Sequence, residues 1–302
     1  MQPLLRSSLA AAAGLTALLP AQQGAAGTAD QDTCTFLRGM TGFEHFHEPI
    51  GQPLYFESPF IETSVRPLLL RHDFAKGSVL QGGEVQVYAI QARIALSDRL
   101  AFVATEDGYS ELRTGLLGED EGWNDLAAGL KYAAIVDREN DFVLTTGLRY
   151  KAENGHRGIL MGGVDEFSPF VSAAKGSGDL HTVTGLCWRV PLDDGDGNQV
   201  LHWDVHVDYD LNPDSDRVVA PVLEVHGVHY LTDGDVGLPI GGLDYTNLGS
   251  QVGGDFVAWG GVGIRAELAH KVELGAMYEF ALTDRNDDIF DRRVTIDWIF
   301  RW

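Results

Sequence analysis

The sequence contains few cysteines and no long apolar run. Two of its 302 residues are cysteines, Cys34 and Cys187, which excludes a framework of several disulfide bonds and leaves a single bond between them open. A transmembrane helix needs roughly 20 consecutive apolar residues. No stretch of the chain reaches that length, so the sequence excludes a helical membrane protein.

Basic residues are also scarce. The chain has 22 Lys and Arg residues against 44 Asp and Glu residues, which gives a formal net charge of -22. Proteins that bind nucleic acid carry a basic surface, so we expect no nucleic acid partner. Much of the acidic charge lies between the apolar segments, where it is expected to solvate exposed loops.

The N-terminus has the features of an export signal. Arg6 precedes an apolar segment from Leu9 to Leu19, and small residues follow. Cleavage is plausible near Ala21, Ala26 or Ala29. We interpret residues 1–26 as a signal peptide, with a buried soluble helix as the alternative. Export indicates a bacterial-type envelope or extracellular destination.

The chain ends on a segment in which apolar and polar residues alternate. One face comprises Val294, Ile296, Trp298, Phe300 and Trp302, and the other comprises Arg293, Thr295, Asp297 and Arg301, with Ile299 as the exception. A period of two residues is typical of a β-strand that has one apolar face and one polar face.

The same pattern recurs along the chain and predicts about twelve strands. They span residues 62–73, 84–97, 100–107, 124–136, 141–151, 166–175, 179–190, 199–210, 217–230, 254–268, 271–282 and 291–302. Gaps after even-numbered strands are short, and most gaps after odd-numbered strands are longer, such as 108–123. This alternation is typical of an all-β, antiparallel up-and-down transmembrane β-barrel with short periplasmic turns. A soluble β-sandwich is the alternative.

The two faces of each strand predict which side contacts lipid. A lipid-facing Arg or Lys near the bilayer midplane costs roughly 2–4 kcal/mol, so the charged face must line the lumen. Small residues on that face are expected to leave room inside: Gly129, Gly147, Gly261, Gly263 and Gly275. The first strand has no clear phase because residues 68–70 are all leucine.

Three features of the chain resemble the bacterial outer-membrane β-barrel superfamily. They are the export signal, the alternation of short turns and long loops, and the C-terminal sequence Trp298-Ile299-Phe300-Arg301-Trp302. Trp302 departs from the Phe that is usual at the last position. The resemblance covers residues 62–302. It implies a barrel embedded in outer-membrane lipid, and a C-terminal strand that the barrel-assembly machinery recognises. Within the superfamily, the chain looks most like uncharacterised transporters of the phenol-degradation-pathway type.

Charges on the predicted inner face are segregated along the sequence. A basic side comprises Arg93, Lys131, Arg149, Lys151 and Arg189, and an acidic side comprises Asp204, Asp208, Glu224, Glu267, Glu273, Glu279 and Asp297. Across a wet pore the two sides would form a transverse field that orients and selects polar solutes. We expect the partner to be a small polar or aromatic solute. The alternative is a lumen plugged by salt bridges between them.

Histidines on the same face are weak candidates for metal ligands. His202 and His206 share one strand face with two aspartates, and His226 lies on the next strand. Imidazole and carboxylate suit divalent transition metals, but neighbours two apart on a strand are separated by about 6–7 Å. We therefore expect no metal and no cofactor, and interpret these residues as polar lumen lining.

Residues 27–61 form a predicted N-terminal arm. The arm is rich in aromatic residues, and Pro49, Pro53 and Pro59 disfavour an additional strand. So many aromatic side chains are unfavourable when exposed. We expect an irregular periplasmic arm that packs into the periplasmic mouth or the lumen as a partial plug. A disordered tail is the alternative.

These observations predict an outer-membrane channel or transporter for passive or gated passage of a small solute. A non-conducting structural or surface-interaction barrel is the alternative from another functional class. No Gly-x-Ser-x-Gly elbow and no Gly-rich phosphate loop occurs in the sequence, so we expect no enzyme activity. A barrel-embedded hydrolase is a third hypothesis.

Overall fold

The computed structural model of the protein describes residues 36–105, 107–159, 164–193, 197–215, 217–234, 250–268, 271–284 and 290–302. The predicted signal peptide and Cys34 lie outside these residues. No helix in the described part of the chain is long and apolar enough to cross a membrane. The second cysteine, Cys187, is a buried free thiol.

Strands account for most of the described residues. They are β1 (Ser64–Phe74), β2 (Gly83–Ala95), β3 (Leu100–Ala104), β4 (Gly108–Thr114), β5 (Gly118–Trp123), β6 (Leu126–Asp137), β7 (Phe142–Ala152), β8 (Glu166–Ser177), β9 (Leu180–Pro191), β10 (Val200–Tyr209), β11 (Arg217–Tyr230), β12 (Phe256–Leu268), β13 (Val272–Ala281) and β14 (Arg292–Arg301). One turn of 3-10 helix spans Arg157–Ile159.

Twelve of these strands form a closed antiparallel barrel, which confirms the predicted fold class and strand number. Around the barrel, β1 is followed by β14, β13 and so on in descending order to β6, and then by β3 and β2. Pairing of β2 with β1 closes the barrel. Ser64 of β1 is opposite Arg301 of β14 on one side and Arg93 of β2 on the other. Closure satisfies the backbone groups that an open sheet edge would leave unpaired.

The prediction of a loop at 108–123 is wrong, because this segment forms the hairpin β4–β5. β4 follows β3 along the same strand, since β2 pairs with β3 near Arg93 and with β4 near Val87. Tyr109 and Trp123 pack edge to face across the hairpin, with ring centroids 5.5 Å apart. The acidic sequence Gly118-Glu-Asp-Glu-Gly-Trp123 concealed the strand, because acidic and Gly residues are depleted in strands.

The barrel wall has an apolar outer face and a charged inner face. Val262 and Leu148, for example, are 48% and 49% exposed on the outside, whereas Glu279 is 0% exposed inside. Leu69 points outward between two inward leucines, which resolves the phase of β1. Ile299, the exception in the C-terminal alternation, is buried inside the barrel. The continuous apolar exterior is the surface expected for a barrel embedded in lipid.

Apolar clusters close the interior near both ends. At the end with the short turns, the cluster includes Ala95, Ala133 and Val183. At the end with the long loops, a larger cluster includes Trp259 and Phe290. The charged side chains of the inner wall lie between these two clusters, around a segment that precedes β1.

Candidate functional site in the barrel lumen

Residues 39–61 are here called the plug, and those from residue 46 onward fill the interior of the barrel. Every residue from 46 to 61 is buried, and none of them belongs to a helix or strand. Phe46 and Phe60 pack in the cluster at the short-turn end, and Leu54 and Tyr55 pack in the cluster at the long-loop end. The plug therefore enters at the short-turn end, reaches the long-loop end, and returns to β1.

Polar side chains of the wall satisfy the backbone carbonyls of the plug. An irregular buried segment has no ladder partners, so its carbonyls need other donors. The hydrogen bonds are Arg66 to Ile50 at 3.2 Å, Gln91 to Pro53 at 2.6 Å, Lys131 to Ser58 at 3.0 Å, Thr145 to Pro59 at 2.5 Å, Arg265 to Glu48 and Pro49 at 2.8 Å each, and Arg149 to Leu54. Cationic and neutral donors of the wall thus replace the strand partners that the plug lacks.

Carboxylates of the wall accept from the backbone amides of the plug. Glu224 on β11 accepts from the amide of Ile50 at 2.8 Å and from that of Gly51 at 2.7 Å. Glu273 on β13 accepts from the amide of Glu48 at 3.2 Å. A buried carboxylate is stabilised when it accepts several N–H groups, so these bonds favour both the docked plug and the charged wall.

The plug also supplies a carboxylate to the basic side of the wall. Both oxygens of Glu57 accept from Arg93, at 2.7 and 2.9 Å, and Lys131 donates to Glu57 at 2.7 Å. Burial alone would raise the pKa of Glu57, but the Arg93 guanidinium and the Lys131 ammonium outweigh burial and hold this pKa well below its usual range. Glu57 is therefore a buried anion held by two cations.

On β1 and β12 to β14, charged side chains of the wall pair with one another and with Glu62, which precedes β1. Arg265 contacts Asp297 at 2.5 and 3.0 Å and Glu273 at 3.1 Å, and Arg66 contacts Asp297 at 2.5 Å. Arg301 bridges Glu273 and Glu62, at 2.7 Å each. Three basic side chains in this group are thus balanced by three acidic ones.

The candidate metal ligands of the sequence lie in a hydrogen-bonded network rather than around one centre. His206 contacts Glu224 at 2.6 Å and Asp208 at 2.9 Å. His226 contacts Asp204 at 2.8 Å. His202 lies apart, 3.2 Å from the Gln52 amide of the plug. Each of these histidines therefore already has a partner among the described residues.

Tyr55 of the plug lies in an aromatic and cationic pocket. Its ring stacks on His202 with centroids 4.6 Å apart and an interplanar angle of 14°. The guanidinium carbons of Arg189 and Arg149 lie over the same ring at 4.6 and 5.3 Å from its centroid. Such cation–π contacts are attractive because the ring face is negative, and more so where water is excluded.

All residues that the sequence assigned to the acidic and basic sides lie inside the barrel and are buried. The partners of the basic side include acids that sequence reasoning missed. Glu57 comes from the plug, and Glu166 on β8 contacts Arg189 at 2.8 Å and Lys151 at 3.3 Å. The period-2 pattern of β8 could have placed Glu166 inside. Glu57 has no such signal because it lies in an irregular segment.

The expectation that inner glycines leave room in the lumen is wrong, because other side chains fill the space beside them. A Cβ on Gly275 would overlap the Arg265–Asp297 pair, and one on Gly261 would overlap Met277. Gly185 accommodates the ring of Phe56 in the plug. The missing side chain of each glycine therefore makes space for a larger neighbouring side chain, and that neighbour fills the space.

No protein family model and no curated protein matches the sequence. Solved structures do match. An outer membrane channel from Pseudomonas putida F1 is 15% identical over 85% of this chain and 100% of that chain, with a TM-score of 0.51. The NanC porin is 11% identical over 80% of this chain and 100% of its own, with a TM-score of 0.44. The KdgM porin is 10% identical over 79% and 99%, with a TM-score of 0.42.

The chain has the fold of bacterial outer-membrane β-barrels. The closed barrel, its apolar exterior and the likeness to the Pseudomonas channel agree on this point. At 15% identity the likeness establishes the fold of the chain and not its activity. The finer resemblance to transporters of the phenol-degradation-pathway type stays a prediction.

Proposed function

We propose that this outer-membrane barrel is a gated channel for a small solute, and that the plug closes it. One observation carries the proposal: between the two apolar clusters, the plug is held in the lumen by polar contacts such as that of Glu57 with Arg93. Water can replace such contacts when the plug moves, because charged side chains are stable in a wet pore. An apolar core of the same size would be costly to open to water.

In a gated channel, the segregated charges of the wall would bind the plug before they act on a solute. In the closed state, the basic side binds Glu57 and plug carbonyls, and the acidic side binds plug amides. The transverse field that the sequence predicts would act on a solute only after the plug has moved. Gating and selectivity would then use the same side chains.

The surroundings of Tyr55 support a small polar or aromatic solute. When the plug moves, Arg149, Arg189 and His202 would line the space that the ring occupies. An aromatic carboxylate would gain both an ionic contact and a cation–π contact there. Benzoate should therefore block the conductance of the open channel more strongly than cyclohexanecarboxylate does, because the two differ in the aromatic ring.

Planar-bilayer recording in a salt gradient tests the channel itself. We expect brief openings from a closed baseline for the refolded protein, and a larger open fraction for Glu57→Gln. The second candidate is a non-conducting structural or surface-interaction barrel, which the densely packed lumen favours. Silence of both proteins, each inserted and heat-modifiable on a gel, would support that candidate and contradict the channel.

A further inference from the structure

Three potential metal ligands meet where the plug enters the barrel. His47 comes from the plug, and Asp208 and Asp210 come from the end of β10 and the residue that follows it. The imidazole and the two carboxylates each offer one atom, and these three atoms lie within 4.8 Å of one another. All three residues are buried. The group joins two segments that are far apart in sequence.

We propose that His47, Asp208 and Asp210 bind one divalent transition-metal ion of the zinc class, which fastens the plug to the barrel wall. Two carboxylates balance the charge of a dication, and a mixed imidazole and carboxylate set suits zinc, with water completing the coordination. The three donor atoms would move closer together so that each lies roughly 2.0–2.2 Å from the bound ion, the length of zinc bonds to nitrogen and oxygen.

The surroundings of the three residues match those of a metal site. His181 Nδ1 lies 2.8 Å from one oxygen of Asp208, and His206 Nε2 lies 2.9 Å from the other, so the carboxylate is held in place. Nδ1 of His47 is buried without a hydrogen-bond partner and lies 3.7 Å from Glu273. Metal-binding histidines commonly direct the nitrogen that does not bind the ion toward a carboxylate.

The nitrogen available to the metal is Nε2 of His47. It lies 2.8 Å from Asp210, so the two groups share a proton without the ion. Binding of the ion would release that proton to solvent, as metal binding to imidazole generally does. Asp210 directly follows the last residue of β10 at the short-turn end, which gives the ion a route from the predicted periplasmic side.

Sequence reasoning missed this site for an identifiable reason. The segment Glu44-His45-Phe46-His47-Glu48 contains two histidines at a spacing that occurs readily by chance, and the fold separates them. His45 is exposed and lies 2.9 Å from Asp141. Only His47 points to β10. The ligand set therefore depends on the path of the plug, which the sequence pattern does not contain.

Calorimetric titration of the refolded full chain with zinc tests the site. We expect one equivalent to bind, with affinity at least about tenfold weaker in His47→Gln and in Asp210→Asn. Both substitutions keep a polar side chain of similar size. His45→Gln is the matched control and should bind as the unchanged protein does. Equal zinc affinity in all four proteins, or no binding in any, would overturn the proposal.

A second readout follows the plug rather than the ion. Zinc should slow proteolysis of residues 39–61 at least about tenfold in the unchanged protein and in His45→Gln, because it adds a link to the wall. It should have no such effect in His47→Gln or Asp210→Asn. Heat-modifiable migration on a gel confirms that each barrel is folded. A plug that is cut equally fast with and without zinc in the unchanged protein would contradict the link.

Discussion

Glu57 of the plug and Arg93 of β2 form a bidentate ion pair in the barrel interior, with N–O distances of 2.7 and 2.9 Å. Both side chains are 1% exposed. Arg93 thus binds an anion from a segment that precedes the barrel rather than an acid of the opposite wall. The charges of the inner wall therefore hold the plug as well as one another.

Glu57→Gln should release the plug. The substitution removes the negative charge and leaves Arg93 and Lys131 as buried cations that lack this anion. Removal of one partner from a buried ion pair typically destabilises the folded arrangement by about 3–5 kcal/mol. We expect faster proteolysis of residues 39–61 while the barrel stays intact. Glu44→Gln is the control, because Glu44 is an exposed carboxylate of the same segment. Equal protection of the plug in both variants would show that the pair does not hold it.

Acid should weaken the plug through the same carboxylate. The pKa of Glu57 is lowered in the folded protein, so its contribution is complete above its ordinary value of 4.5 and declines as the pH falls below that value toward the lowered pKa. The difference in plug protection between the unchanged protein and Glu57→Gln should therefore shrink below about pH 4.5. Proteolysis with an acid-stable protease across this range measures it. A difference that stays constant as the pH falls would argue against Glu57 as the anion involved.

Gly51→Ala should displace the part of the plug that contacts Glu224. An added Cβ would lie 2.6 Å from a Glu224 oxygen and 2.7 Å from a His226 nitrogen, which is closer than real contacts allow. Overpacking of this kind typically costs about 1–3 kcal/mol. Gly260→Ala is the control, because its Cβ would meet Phe280 at an ordinary 3.5 Å. Hydrogen exchange of the Gly51 and Ile50 amides should accelerate only in the first variant.

Leu130→Arg should destabilise the inserted barrel. Leu130 lies in the middle of β6, is 49% exposed and faces outward. An arginine near the bilayer midplane costs roughly 2–4 kcal/mol on the lipid face. Urea unfolding in lipid vesicles measures the loss. Glu119→Arg in the β4–β5 hairpin is the control, and equal stability of the two variants would contradict the assignment of the lipid face.

Much of the barrel could be predicted from the sequence, because a period of two residues is local information. It placed Glu273 and Glu279 inside and Tyr278 outside, and it set strand ends within a few residues. The path of the plug could not be predicted, since Pro49, Pro53 and Pro59 exclude regular structure without specifying another one. The partners of Glu57 depend on contacts across 36 and 74 residues, which no local pattern contains.

The native thiol of Cys187 offers the most direct test of a closed lumen. It points into the barrel from β9, is 1% exposed, and lies 3.5 Å from Arg149. In a Cys34→Ser background, a small water-soluble thiol reagent should label Cys187 slowly, and at least about tenfold faster when Glu57→Gln is added, because each kcal/mol lost from plug docking raises the open population several-fold. Rapid labelling with Glu57 in place would contradict the claim that the plug closes the lumen.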